Sequence, residues 1–149
     1  MKTKFLFPVL LFFSSIFFAQ SAKNINQQDG VANYGYDVVS YFSGKPQEGS
    51  AKNIVNYMNA NYYFVNSQNK AIFQKDPNKY LPQYGGYCAF AMGDNGEKVE
   101  VNPKTYKITN GKLYLFYNRF FTNTLTSWNK DEKNLTVKAD KNWKKFTTK

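Results

Sequence analysis

The most reactive side chain in this sequence is that of Cys88, its only cysteine. Met92 follows four residues later, so a helix that begins at Cys88 would place the thiolate and the thioether on one face. Two soft sulfur ligands suit Cu(I), and the spacing therefore predicts a copper site at Cys88 and Met92, with Met58 as a third ligand if the fold brings it close. Two alternatives stay open: a small, buried, inert thiol, and a redox or intermolecular thiol.

Three tyrosines, Tyr80, Tyr84 and Tyr87, lie just before this cysteine. Aromatic rings with polar tips can form a stacking cleft for a small planar or sugar-like ligand, here rimmed by lysines or by Arg119. The same rings can instead fill an aromatic core whose hydroxyl groups bond to the backbone or to water. The sequence thus predicts either a candidate cleft or a packed corner at these tyrosines.

The sequence contains no histidine. Its absence excludes Ser-His-Asp triads, Cys-His nucleophile pairs and zinc sites that depend on imidazole. The acidic pair Asp131-Glu132 is predicted to lie on a solvated helix surface, and Asp37 and Asp76 are explained as helix caps. An enzyme would have to work with Cys88, tyrosines or carboxylates alone, so we expect a binding protein and assign no catalytic residue.

Residues 76–92 must position these side chains. Asp76-Pro77 predicts the start of a helix, because an Asp side chain can accept from free backbone N–H groups and Pro is favoured at the first helical position. Pro82 disfavours helical backbone at the residue before it, and Gly85-Gly86 then supplies conformational freedom. The pattern predicts a sharp corner that delivers Cys88 onto a following apolar segment.

Residues 1–19 are typical of a secretory signal peptide, with a basic start at Lys2 and Lys4 and an apolar run up to Phe18. The run is shorter than the ~20 residues of a membrane-spanning helix, so we expect a secreted or periplasmic protein that does not span the membrane. The polar residues 20–33 predict a flexible lead-in. Residues 34–149 are then expected to form a single domain.

The chain is strongly basic, since 20 Lys and Arg residues against 10 Asp and Glu residues give a formal net charge of +10. No nucleic-acid-binding signature accompanies this charge, so we expect no nucleic-acid partner. Attraction to an anionic cell-envelope surface is the expected consequence.

The remaining patterns predict an α+β fold. The predicted elements are, in chain order, a β-hairpin of 53–58 and 62–65 around Asn59-Ala60-Asn61, a helix over 68–75 capped by Asn66 or Ser67, a strand through Val99 and Val101 that ends at Asn102-Pro103, a hairpin around Asn110-Gly111, and an amphipathic helix over 124–142. We therefore expect a small antiparallel sheet built from hairpins and packed with short helices and a C-terminal amphipathic helix.

Several stretches, taken in order, carry a family resemblance. They are GYDVVSYF at 35–42, Tyr63-Phe64 with Asn69 and Phe73, Asp76-Pro77 with Lys79-Tyr80, PQYGGYCA at 82–89, Asn102-Pro103, GKLYL at 111–115 and ADKNW at 139–143. Together they resemble the YHS-domain proteins, specifically the secreted single-domain branch, over about 31–146. The resemblance implies the fold of that family and a binding role of unknown specificity. Related modules carry cysteines that can bind metal at the positions of Val65 and Asn69, and the serine of the family name falls on Asn66.

The sequence therefore predicts a secreted or periplasmic YHS-like protein associated with a small ligand or a metal ion. The alternative is a cell-envelope interaction protein that uses its basic surface and has no ligand pocket. A cleft at Cys88 would favour the first function, whereas a closed, packed corner with one basic exposed face would favour the second.

Overall fold

The computed structural model describes residues 24–148, so the predicted signal peptide lies outside the described residues. The described chain combines sheets and helices, and the predicted α+β class is confirmed. The strands are β1 (Gln27–Gln28), β2 (Val31–Ala32), β3 (Ser50–Tyr57), β4 (Ala60–Phe64), β5 (Asn102–Thr109), β6 (Lys112–Phe116), β7 (Asn118–Arg119) and β8 (Thr122–Asn123). The α-helices are α1 (Ser67–Lys75), α2 (Pro77–Tyr80), α3 (Ala89–Asp94), α4 (Thr124–Trp128) and α5 (Glu132–Thr147).

The first sheet has the strand order β1-β2-β4-β3. Strands β3 and β4 form the predicted antiparallel hairpin, but its turn consists of Met58 and Asn59, both with positive φ, rather than Asn59-Ala60-Asn61. Ala60 instead begins β4 and is fully buried. Burial of this small side chain in the core favours the shorter turn, and it shifts the start of the strand by two residues from the prediction.

The ordered chain begins earlier than predicted. Residues within the expected lead-in form β1 and β2, and β2 pairs in parallel with β4. Asn26 is only 2% exposed, its backbone N–H donates to Gly85 O at 2.8 Å, and its side-chain amide donates to Gly86 O at 3.2 Å. The polar side chains that suggested a flexible segment are therefore bonded to backbone from a distant part of the chain.

The second half of the chain contains the hairpin of β5 and β6. Its turn is Asn110-Gly111, as predicted, and both residues have positive φ. The predicted strand through Val99 and Val101 is wrong, because residues 95–101 form no strand and β5 begins at Asn102 and includes Pro103. Pro103 has no N–H to donate to a neighbouring strand. The pairing of β5 with β6 is accordingly irregular between Asn102 and Tyr106.

The predicted C-terminal helix is divided into α4 and α5. Turn hydrogen bonds from Lys130 N–H to Ser127 O and from Asp131 N–H to Trp128 O separate the two helices. Helix α5 buries Leu135 and Ala139 against the core and exposes Val137, which confirms its amphipathic character. Within residues 24–148, no helix has the length and apolar content that crossing a membrane requires.

Asp37 ties the first sheet to helix α1. Its side chain is fully buried, and one carboxylate oxygen accepts from Val39 N–H at 2.8 Å and Ser40 N–H at 3.3 Å, which confirms the predicted cap. The other oxygen accepts from Val65 N–H at 3.0 Å and from the Asn69 amide at 2.8 Å. Positions 65 and 69, where related modules carry cysteines, thus serve here as donors to a buried carboxylate.

Candidate functional site

The corner that the sequence predicted lies between α2 and α3. Helix α2 is a single turn with Pro77 at its start, and a 3-10 turn over Gln83–Gly86 follows it. Tyr84 and both glycines of this turn have positive φ. The predicted side-chain cap at Asp76 is wrong, because this exposed carboxylate makes no capping hydrogen bond and the helix start depends on the proline.

A cleft of about 470 Å³ opens beside this corner. It is formed where the N-terminal segment, the 3-10 turn and helix α5 meet. Apolar and aromatic side chains make up one part of its lining, namely Ile25, Met58, Tyr62, Leu81, Pro82, Tyr84 and Trp143. Polar side chains make up another part, namely Asn24, Asn78, Gln83, Asp140 and Lys144.

Tyr84 holds the Asp140 carboxylate at the edge of this cleft. The Tyr84 hydroxyl donates to Asp140 Oδ1 at 3.0 Å. Burial, and then the nearby Asp140 carboxylate, raises the pKa of Tyr84 far above its ordinary value, so this hydroxyl remains a donor over the whole physiological range. The Tyr84 ring also meets the ring of Trp143 edge to face, with centroids 6.2 Å apart. The two aromatic side chains therefore form one rigid wall.

The N-terminal segment closes the side of the cleft at Gly85. A Cβ at position 85 would lie 1.9 Å from the carbonyl oxygen of Asn24, so only glycine allows this approach. The Asn24 side chain donates to Phe146 O at 2.8 Å and accepts from Lys98 Nζ at 2.9 Å. These bonds attach the N-terminal segment to helix α5 and to the segment that follows α3.

The rings of Trp143, Tyr87 and Phe146 form an aromatic cluster around Lys98. The Lys98 ammonium is 4.5 Å from the centroid of Phe146, 5.4 Å from that of Tyr87 and 5.7 Å from that of Trp143. Burial lowers the pKa of Lys98 from its ordinary value, while the faces of the three rings attract its charge. Lys98 thus links the Trp143 ring to the rings of Tyr87 and Phe146.

The structure separates the three tyrosines that the sequence grouped. Tyr84 lines the cleft, whereas Tyr80 and Tyr87 do not. Tyr80 packs edge to face on Phe42 with centroids 5.1 Å apart, and Tyr87 contacts Lys98. Trp143 and Asp140 are two of the lining residues that the sequence analysis did not identify. Their spacing of three residues on α5 places them on one helical face, and this pattern was a usable signal.

Cys88 and Met92 face the core and not the cleft. Both side chains are fully buried, and they belong to different core clusters. The Cys88 sulfur lies 3.3 Å from Thr124 Oγ1 and accepts from Tyr117 N–H at 3.4 Å. Met58 lines the cleft instead. In the part of the chain that the structure describes, no group of three or more His, Cys, Asp or Glu side chains is placed to hold a metal ion.

Copper binding at Cys88 and Met92 stays a prediction, and it can be tested by titration with Cu(I). A calorimetric titration with Cu(I) is expected to release heat with the wild-type protein and to lose that heat in both Cys88→Ser and Met92→Leu. Met58→Leu is the matched control, because Met58 lies in the cleft and its loss should leave the heat unchanged. Absence of heat in the wild type, or equal heat in Cys88→Ser, would contradict the copper site.

Comparison with known proteins identifies no relative of this chain. No family model matches it, and neither a curated protein nor a solved structure matches it. The chemistry of the site is therefore derived from the side chains that line the cleft.

Proposed function

We propose that the protein is a secreted or periplasmic YHS-like binding domain that holds a small, sugar-like molecule in the cleft between the 3-10 turn and helix α5. The observation that supports this proposal most strongly is the cleft at Tyr84, which lies beside the predicted corner although Cys88 itself is buried in the core. The cleft volume of about 470 Å³ lies within the range of roughly 300–1,000 Å³ that is typical of small-molecule sites. The secretion and family parts of the proposal depend on residues 1–19 and on the stretches that resemble YHS proteins.

The lining suits a ligand that has both an apolar face and several hydroxyl groups. The rings of Tyr84 and Trp143, which meet edge to face, offer apolar surface for the C–H groups of a ligand. Opposite charges from Asp140 and Lys144, which are four residues apart on α5, provide an acceptor and a donor at the same rim. The side-chain amides of the lining add both kinds of group. A neutral, polyhydroxylated molecule satisfies this mixture without leaving either charge unpaired.

We propose binding without hydrolysis. Glycoside hydrolysis generally requires two carboxyl groups, about 5–10 Å apart, on either side of the reacting bond. Asp140 is the one carboxylate in the lining of the cleft, and its Oδ1 already accepts from Tyr84. The arrangement orients a ligand and does not supply an acid and a base.

The two tryptophans make this proposal measurable by fluorescence. Trp143 lines the cleft, whereas Trp128 is fully buried in the core. Titration with a panel of mono- and disaccharides is expected to shift the emission of Trp143 as water leaves the cleft. Trp143→Ala is expected to weaken binding by about 2 kcal/mol, or about thirtyfold in Kd, because a central aromatic side chain often dominates binding energy.

Val137→Ala is the matched control for this experiment. Val137 lies on the same helix as Trp143 but is 67% exposed and is not part of the cleft lining. The substitution should leave the titration unchanged. If no sugar in the panel alters the emission, or if Trp143→Ala binds as tightly as the wild type by a ligand-observed method, the proposed function is wrong.

A further inference from the structure

The turn between β7 and β8 exposes two phenylalanines side by side. Phe120 is 84% exposed and Phe121 is 110% exposed, so both rings project fully into solvent. The base of this hairpin is held firmly, since the Asn118 amide donates to Thr105 Oγ1 at 3.0 Å and Thr124 N–H donates to Tyr117 O at 3.0 Å. The two rings are therefore presented at the tip of an anchored protrusion.

The backbone of this tip is unfavourable for the residues that occupy it. Phe120 and Phe121 have φ values of 50° and 65°, in the left-handed region that bulky side chains rarely adopt. The hairpin of β5 and β6 has the same two-residue turn geometry and uses Asn110-Gly111, the pair that such turns prefer. Backbone strain of this kind is kept in proteins where the strained residue has a function that needs its side chain. Local folding does not account for two phenylalanines here.

The chain around the tip carries one sign of charge. Residues 101–130, which form both hairpins and α4, contain Lys104, Lys107, Lys112, Arg119 and Lys130 and no acidic residue. Arg119 is adjacent to the phenylalanines, and Lys104 lies on β5, the strand against which β7 packs. Lys107 is ion-paired with Glu132 of α5, so Arg119 and Lys104 supply the positive charge beside the tip. An apolar tip beside this positive charge is complementary to a surface that has an apolar interior and an anionic exterior.

We propose that Phe120 and Phe121 insert into the interface of an anionic phospholipid membrane, with Arg119 and the neighbouring lysines at the headgroups. A lipid interface accepts a projecting tip without a preformed pocket, whereas a protein partner would have to provide a groove that matches two adjacent rings. This anchoring is independent of the ligand cleft, because none of these residues lines it.

The test places a reporter at the tip of the full chain. Thr122 is exposed and pairs with Arg119, so Thr122→Cys provides an accessible thiol for a polarity-sensitive fluorophore. The native Cys88 is fully buried, so labelling is directed to position 122. Vesicles of phosphatidylcholine mixed with phosphatidylglycerol are expected to brighten the emission and shift it to the blue. Vesicles of phosphatidylcholine alone should produce a weaker response, and added salt should weaken binding to the mixed vesicles.

The matched control replaces the tip with the turn that the chain uses elsewhere. Phe120→Asn combined with Phe121→Gly, in the labelled protein, should leave the unfolding midpoint at or above that of the wild type. The same variant should require about tenfold or more lipid for half of the response, since both inserted side chains are lost. Loss of the folded structure in the double variant therefore cannot explain the difference.

Three results would overturn the proposal. The first is an equal response to vesicles in the labelled protein and in the double variant. The second is the absence of any response to the mixed vesicles. The third is a response without lipid that grows with protein concentration, which would show that the tip contacts a second copy of the chain.

Discussion

Replacement of Asp37 by alanine is expected to lower the free energy of unfolding by about 3 kcal/mol or more. The carboxylate is fully buried and accepts four hydrogen bonds, from Val39 N–H, Ser40 N–H, Val65 N–H and the Asn69 amide. Alanine would leave all four donors without this acceptor, and the bonds to Val39 N–H and Ser40 N–H lie in the buried interior. Urea denaturation of the variant, followed by circular dichroism, measures the loss.

Asp76→Ala is the matched control for this prediction. Asp76 is exposed and makes no capping hydrogen bond, so its replacement should change stability by no more than about 0.5 kcal/mol. Asp37→Asn should fall between the two variants, because it keeps one acceptor oxygen. A cost for Asp37→Ala as small as that for Asp76→Ala would show that the four hydrogen bonds do not stabilise the fold.

Gly85→Ala is expected to have the second large effect, on both the fold and the cleft. The added methyl group would lie 1.9 Å from Asn24 O and 3.0 Å from the Trp143 ring, at a residue whose φ is +63°. The N-terminal segment would have to move away from the corner, which removes the Asn26 N–H bond to Gly85 O. We expect a loss of about 3 kcal/mol or more in the free energy of unfolding, together with loss of ligand binding.

Gly44→Ala isolates the steric part of this effect. Gly44 also has positive φ, at +79°, but nothing lies within 4 Å of a Cβ at that position. Its replacement should therefore cost only the backbone strain, about 1–2 kcal/mol, and should leave ligand binding intact. Equal losses of stability in the two variants, or unimpaired ligand binding in Gly85→Ala, would contradict the close approach of the N-terminal segment.

Asp37 and Asp76 show what local sequence can and cannot predict. Both were predicted as helix caps, because an acidic side chain before a helical turn is a good acceptor. The structure confirms Asp37 and not Asp76. The contacts that make Asp37 important come from residues 28 and 32 positions away, and no local pattern contains them. By contrast, the turn at Asn110-Gly111 was predicted correctly, since its backbone preference depends on those two residues alone.

The cleft was only partly predictable for the same reason. The sequence predicted either a cleft or a packed corner at Tyr80, Tyr84 and Tyr87, and of these three only Tyr84 lines the cleft. Its other walls come from Asn24 and Ile25 at one end of the described chain and from Asp140 and Trp143 at the other. Only the folded chain brings these segments together. The polar character of residues 20–33 even suggested a flexible lead-in, whereas Asn26 is held by backbone bonds to the corner.

Native mass spectrometry of the protein, purified from the envelope of its own cells, tests the proposed binding function most directly. We predict a species with the added mass of one small organic molecule, and we predict that Trp143→Ala purified in the same way loses that mass while Val137→Ala retains it. Bare protein in the wild-type sample, or an added mass that persists in Trp143→Ala, would contradict the assignment of the cleft as the ligand site.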